Sequence, residues 1–80
     1  MSEKEEDQCQ TIVLPFSGRI IDLRVSEGDH VNKGEELFTV EAFKLENLVF
    51  SKQEGKITKI NAVVGQDMKK GEIVVELQII

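Results

Sequence analysis

Side chains able to do chemistry unaided are scarce in this chain. It has one cysteine, Cys9, and one histidine, His30, which leaves neither an internal disulfide nor a multi-histidine metal site. A Ser-His-Asp relay would have to use His30, and His30 sits in a Gly-Asp-His stretch that reads as a solvated turn. The segment that stands out is Glu41-Ala42-Phe43-Lys44-Leu45-Glu46-Asn47, where one amine lies between two large apolar residues with a carboxylate on either side. A lysine side chain in water has a pKa of about 10.4 and is protonated at neutral pH, so it is a poor nucleophile by itself. It is well suited to being acylated by another enzyme that removes the proton, after which the four-carbon stem supplies reach and rotational freedom. Glu41 and Glu46 lack the apolar pocket that would raise a carboxyl pKa for acid catalysis, and they read as recognition charges.

The elements that must position this segment are strands. β-Branched residues make up a quarter of the 80 (nine Val, eight Ile and three Thr), and such side chains pack well on a pleated surface while losing freedom in a helix. Short apolar runs, from Ile12 to Phe16, Arg19 to Val25, Leu37 to Val40, Leu48 to Phe50, Lys56 to Val64 and Ile73 to Ile80, alternate with glycine-centred breaks at Gly18, Gly28, Gly34, Gly55, Gly65 and Gly71. Each break reads as a turn in which glycine supplies a positive φ, and the spacing predicts an all-β sandwich or barrel with no helix. Pro15 cannot donate to a ladder, which makes the first run an edge strand.

A shift of 37 residues lays the chain on itself. Gly18 falls on Gly55, Ile20 on Ile57, Gly28 on Gly65, and Lys33-Gly34-Glu35 on Lys70-Gly71-Glu72, six identities in 26 aligned pairs. Apolar positions match as well, Leu23 with Ile60, Leu37 with Val74 and Val40 with Leu77. Two copies of one strand–turn–strand unit predict a pseudo-two-fold core in which each half covers the other's apolar face. The residue matching Lys44 would fall one past Ile80, so the seven-residue link from Glu41 to Asn47 is an exposed tip without a counterpart. The two chain ends should lie together on the opposite side.

These marks resemble the biotinyl/lipoyl attachment domains. The resemblance runs from about Val13 to Leu77 and rests on Pro15-x-x-Gly18, on Glu27-Gly28-Asp29-x-Val31-x-x-Gly34, on the Gly65 to Gly71 echo and on the tip. Biotinyl members typically carry Glu-Ala-Met-Lys-Met-Glu-Asn there; Glu41, Ala42, Lys44, Glu46 and Asn47 match, and Phe43 and Leu45 replace the methionines. The resemblance implies a flattened β-barrel (a barrel-sandwich hybrid) of two similar halves, with covalent biotin on Lys44 and with Glu41, Ala42, Phe43, Leu45 and Glu46 as flanking recognition residues. It implies a non-catalytic swinging-arm carrier for a biotin-dependent carboxylase or decarboxylase, whose partners are a biotin protein ligase and the biotin carboxylase and carboxyltransferase components. Lipoate on the same lysine, serving a 2-oxo-acid dehydrogenase or glycine-cleavage system, is the alternative, and an unmodified interaction module is a third. Phe43 and Leu45 read either as residues packing on the barrel end or as contacts for the partner enzyme. The spacing from Gly18 to Gly28 equals that from Gly55 to Gly65, which leaves no room for the thumb loop of some bacterial biotin carriers.

The remaining expectations come from composition. A net charge of −5 makes nucleic acid and anionic membrane poor partners. No apolar run approaches the roughly 20 residues that span a bilayer, and no secretion signal opens the chain, which predicts a cytoplasmic, monomeric domain. Residues 1–10, with four acids and one lysine, read as a disordered leader with Cys9 as an incidental thiol, and residues 11–80 as the carrier domain.

Overall fold

The alternation of branched apolar residues with polar ones and glycine turns yields eight strands in a computed structural model, which describes residues 9–79. They are β1 (Cys9–Val13), β2 (Gly18–Leu23), β3 (His30–Val31), β4 (Glu36–Ala42), β5 (Leu45–Phe50), β6 (Gly55–Ile60), β7 (Asp67–Met68) and β8 (Ile73–Ile79). Two four-stranded antiparallel sheets form, one ordered β1-β8-β6-β3 and the other β5-β4-β2-β7. Between them the core is built of matched pairs from the two halves: Ile20 with Ile57, Leu37 with Val74, Phe38 with Val75 and Val40 with Leu77 are all buried to within 1%. The all-β fold expected from composition is present, and no helix occurs among the described residues.

The 37-residue repeat is a structural symmetry. It carries β2 onto β6, β3 onto β7 and β4 onto β8, and lays β1 along β5. Its hydrogen bonds come in pairs: Gly28 N donates to Ile57 O at 2.7 Å and Gly65 N to Ile20 O at 2.6 Å, while Ser51 N to Glu35 O and Leu14 N to Glu72 O are both 2.9 Å. Each of these bonds ties one half to the other, so neither half completes its hydrogen bonding alone.

Several sequence expectations are corrected at this level. Cys9 and Gln10, placed in the leader, are the first residues of β1, opposite Gln78 and Leu77, because an open edge of β8 offers them backbone partners; the rest of that leader lies outside the described residues. Pro15 follows β1, an edge strand, rather than lying within it. The Lys56–Val64 run stops as a strand at Ile60, and Val63 and Val64 are exposed in the following loop. His30 is in β3 rather than a turn, with its Nε2 2.8 Å from Glu54 Oε2.

The glycines divide into two kinds. Gly28, Gly34, Gly65 and Gly71 have φ between 88° and 95° and form turns as expected. Gly18 and Gly55 do not. They open β2 and β6, and a Cβ on either would collide with a neighbouring backbone carbonyl, that of Glu41 for Gly18 and that of Gln78 for Gly55. Because the two contacts are symmetry mates, Gly18→Ala and Gly55→Ala should each lower stability by a similar amount, about 1–3 kcal/mol in chemical denaturation. Clearly unequal losses would show that the halves bear load differently.

Candidate functional site

β4 and β5 run on past the core as a hairpin whose pairs are Val40 with Asn47, Glu41 with Glu46 and Ala42 with Leu45. The link between the halves is therefore two residues, Phe43 and Lys44, rather than the seven expected: the strands absorb the rest because their ladder continues to the turn. Phe43 has φ 55° and Lys44 φ 64°, the double left-handed pattern of a type I′ turn, whose twist matches that of the flanking strands. Asn-Gly suits this turn best. A phenylalanine and a lysine there store strain of about 1–2 kcal/mol per residue.

The structure brings the six sequence-derived site residues together on this hairpin, with differing environments. Lys44 is exposed at the apex. Phe43 is 92% exposed and Leu45 65%, so neither packs against the end of the core; the reading that leaves them free for a partner is the one the geometry keeps. Ala42 is buried and anchors the hairpin to the body. Glu41 and Glu46 face one another across the strands, exposed and of like charge, an arrangement unfavourable for the sheet.

Sequence reasoning missed three supports. Asn47 Nδ2 donates to Leu45 O at 3.1 Å and approaches Val40 O at 3.5 Å, bracing the inner side of the hairpin. Gly18 lets β2 close on Glu41 at the hairpin base. Arg19, opposite both Glu41 and Asp67, donates from Nε to Asp67 Oδ1 at 3.1 Å, which makes a lateral row Glu46–Glu41–Arg19–Asp67 across the sheet, one step below the turn. The repeat could have signalled Gly18. The other two depend on cross-strand register, which spacing alone does not supply.

Two antiparallel sheets of two like halves thus carry an exposed lysine at the apex of a strained hairpin. The family model described as "Biotin-requiring enzyme" matches residues 10–77, and the chain belongs to that biotinyl/lipoyl attachment family. It is 31% identical over 72 residues to the propionyl-CoA carboxylase alpha chain of Ruegeria pomeroyi, covering 90% of this chain and 11% of that one. It is 33% identical over 67 residues to mouse mitochondrial pyruvate carboxylase, covering 84% of this chain and 6% of the relative. Among solved structures, the urea carboxylase of Kluyveromyces lactis superposes with a TM-score of 0.80 at 28% identity, covering 86% of this chain and 6% of that one. The chain thus spans about a tenth or less of the length of these relatives.

The strain at the turn has a measurable consequence. Asparagine tolerates the left-handed region, so Phe43→Asn should raise stability by about 1 kcal/mol, and β-branched Phe43→Val should lower it. Urea denaturation midpoints compare the two; a destabilised Phe43→Asn protein would show that the turn is not the strained element.

Proposed function

We propose that this chain is a biotin carrier whose arm is attached at Lys44. The observation that carries the reading is the placement of Lys44, an exposed amine at the apex of a two-residue turn, reachable from several directions and fixed by its ladder to a packed body. In attachment the neutral ε-amine attacks the activated acyl carbon of the incoming group, an amide forms, and the acyl leaving group and one amine proton depart. Lys44 supplies only the nitrogen; a ligase removes the proton and activates the acyl group. Glu41 and Glu46 offer that ligase paired negative charge directly below the amine, and Phe43 and Leu45 offer apolar contacts on either side of it.

Biotin, once attached, supplies carboxyl carriage between a biotin carboxylase and a carboxyltransferase component. The chain's part is to hold the attachment point clear of the body and keep it near both sites. Tethering replaces diffusion with an effective concentration in the millimolar range for short flexible linkers. The carboxylase identity of the relatives supports biotin over lipoate as the cargo.

Co-expression with a biotin ligase, followed by intact mass measurement, tests this reading. The wild-type chain should gain one biotinyl group and Lys44→Arg none; an unmodified wild type, or a modified Lys44→Arg, overturns it. Replacing the two flanking residues together, Phe43→Met with Leu45→Met, should raise the rate of modification, since methionine adapts to a partner surface more readily than rigid phenylalanine.

A further inference from the structure

The two halves act as internal controls for each other. What both contain, the fold requires; what one has and the other lacks calls for a separate reason. Beside the hairpin turn lies an open depression of about 550 Å³. Its floor is Met68 and Ala42, 6% and 8% exposed, one wall is Phe43, and its rim carries the Arg19–Asp67 ion pair with Ser17 alongside. The symmetry-related place, at the end where Cys9 pairs with Gln78, has Glu54 for Ser17, Lys56 for Arg19, His30 for Asp67 and Val31 for Met68. There the long Glu54 side chain reaches across to His30, Oε2 to Nε2 at 2.8 Å. At the lysine end the short Ser17 makes no such crossing, and its Oγ accepts from Lys70 N at 3.0 Å instead. Among the described residues, the lysine end has the exposed Arg19–Asp67 pair in place of that crossing, and the depression lies open beside it.

We propose that this depression is a docking site for the head group of the arm on Lys44, a ring system with an apolar, sulfur-containing side and a cyclic urea. The inference rests on the reading that Lys44 carries biotin. A cyclic urea presents a carbonyl acceptor and N–H donors, and the rim offers both complements. Arg19 spends its Nε–H on Asp67 Oδ1 and has further guanidinium N–H groups for the carbonyl, while Asp67 has a second oxygen for an N–H. The apolar side of the head group then lies on Met68 and Ala42 beneath the Phe43 ring, where sulfur–aromatic contact is favourable. Phe43 is adjacent to the attachment residue, so the flexible arm needs only to fold back beside its own root. Phe43, 92% exposed, stands at the edge of this site with its side chain free to close over the head group.

Arg19 and Asp67 are more than half exposed, so water competes for both and docking is reversible. The docked fraction lowers the apparent affinity of any enzyme site for the arm in proportion, and an approaching partner that covers the rim releases it.

The test compares unmodified and fully biotinylated protein by NMR, with modification on Lys44 verified by mass. The expected result is shifts in the Arg19 and Asp67 amides, the Met68 methyl and the Phe43 ring, with nuclear Overhauser contacts from the head group to Met68. Transplanting the other end of the molecule, Ser17→Glu with Asp67→His, should abolish those shifts while leaving the changes at residues 44–45. Arg19→Gln, a milder change in an exposed side chain, should weaken them. Shifts confined to residues 43–45 in the wild type, or undiminished in the transplant, overturn the docking site while leaving the carrier reading intact. Absence of biotin on Lys44 overturns both.

Discussion

The backbone of β2 approaches β4 so closely at Gly18 that one methyl group would strike the Glu41 carbonyl, and β6 approaches β8 in the same way at Gly55. Much of the molecule follows from this pair of contacts. They hold each half's central strands close, and the matched side chains Ile20 and Ile57, Val40 and Leu77 lie buried in one core cluster between the sheets. On the functional side, the Gly18 contact seats the base of the hairpin. With β2 against Glu41 and the β4–β5 ladder intact to Ala42–Leu45, the two-residue turn has little freedom except in its side chains.

The fold thus separates two duties that small proteins often mix. Stability comes from what the halves share, including the reciprocal bonds of Gly28 and Gly65 and the four left-handed glycines. The residues proposed for attachment and docking lie where the halves diverge: the left-handed Phe43 and Lys44, the facing Glu41 and Glu46, and the open ground between Ser17 and Met68. Each of these is locally unfavourable as structure, through strain, like charge or missing packing. The repeated Gly18 contact reaches Glu41 only at its backbone carbonyl, so the facing carboxylates and the turn side chains lie outside the contacts the halves share.

The sequence made the larger of these features legible. Branched residues and glycine breaks pointed to strands, and the 37-residue echo pointed to paired halves and to Lys44 as the residue outside the pattern. Long-range geometry was not legible. Gly18 and Gly28 look alike as letters, yet one is required by a neighbouring strand's carbonyl and the other by its own φ. The strands His30–Val31 and Asp67–Met68 carry one apolar residue each, too little to register as a run, and exist because β6 and β2 offer them backbone partners. The length of the turn was not legible either, since a repeat boundary near Val40 and Phe50 does not show that the β4–β5 ladder continues to Ala42 and Leu45.

The pairing of Cys9 with Gln78 has a mechanical side. β8 begins near Ser17 and Lys70, at the lysine end, and runs six residues, Ile73 to Gln78, to reach that pair, a distance of about 17 Å at strand rise. Anything joined to either end of the folded body therefore pulls on it from the pole remote from Lys44. A flexible linker at that pole would make the body a rigid segment ahead of the lysine side chain and widen the arc the amine can sweep.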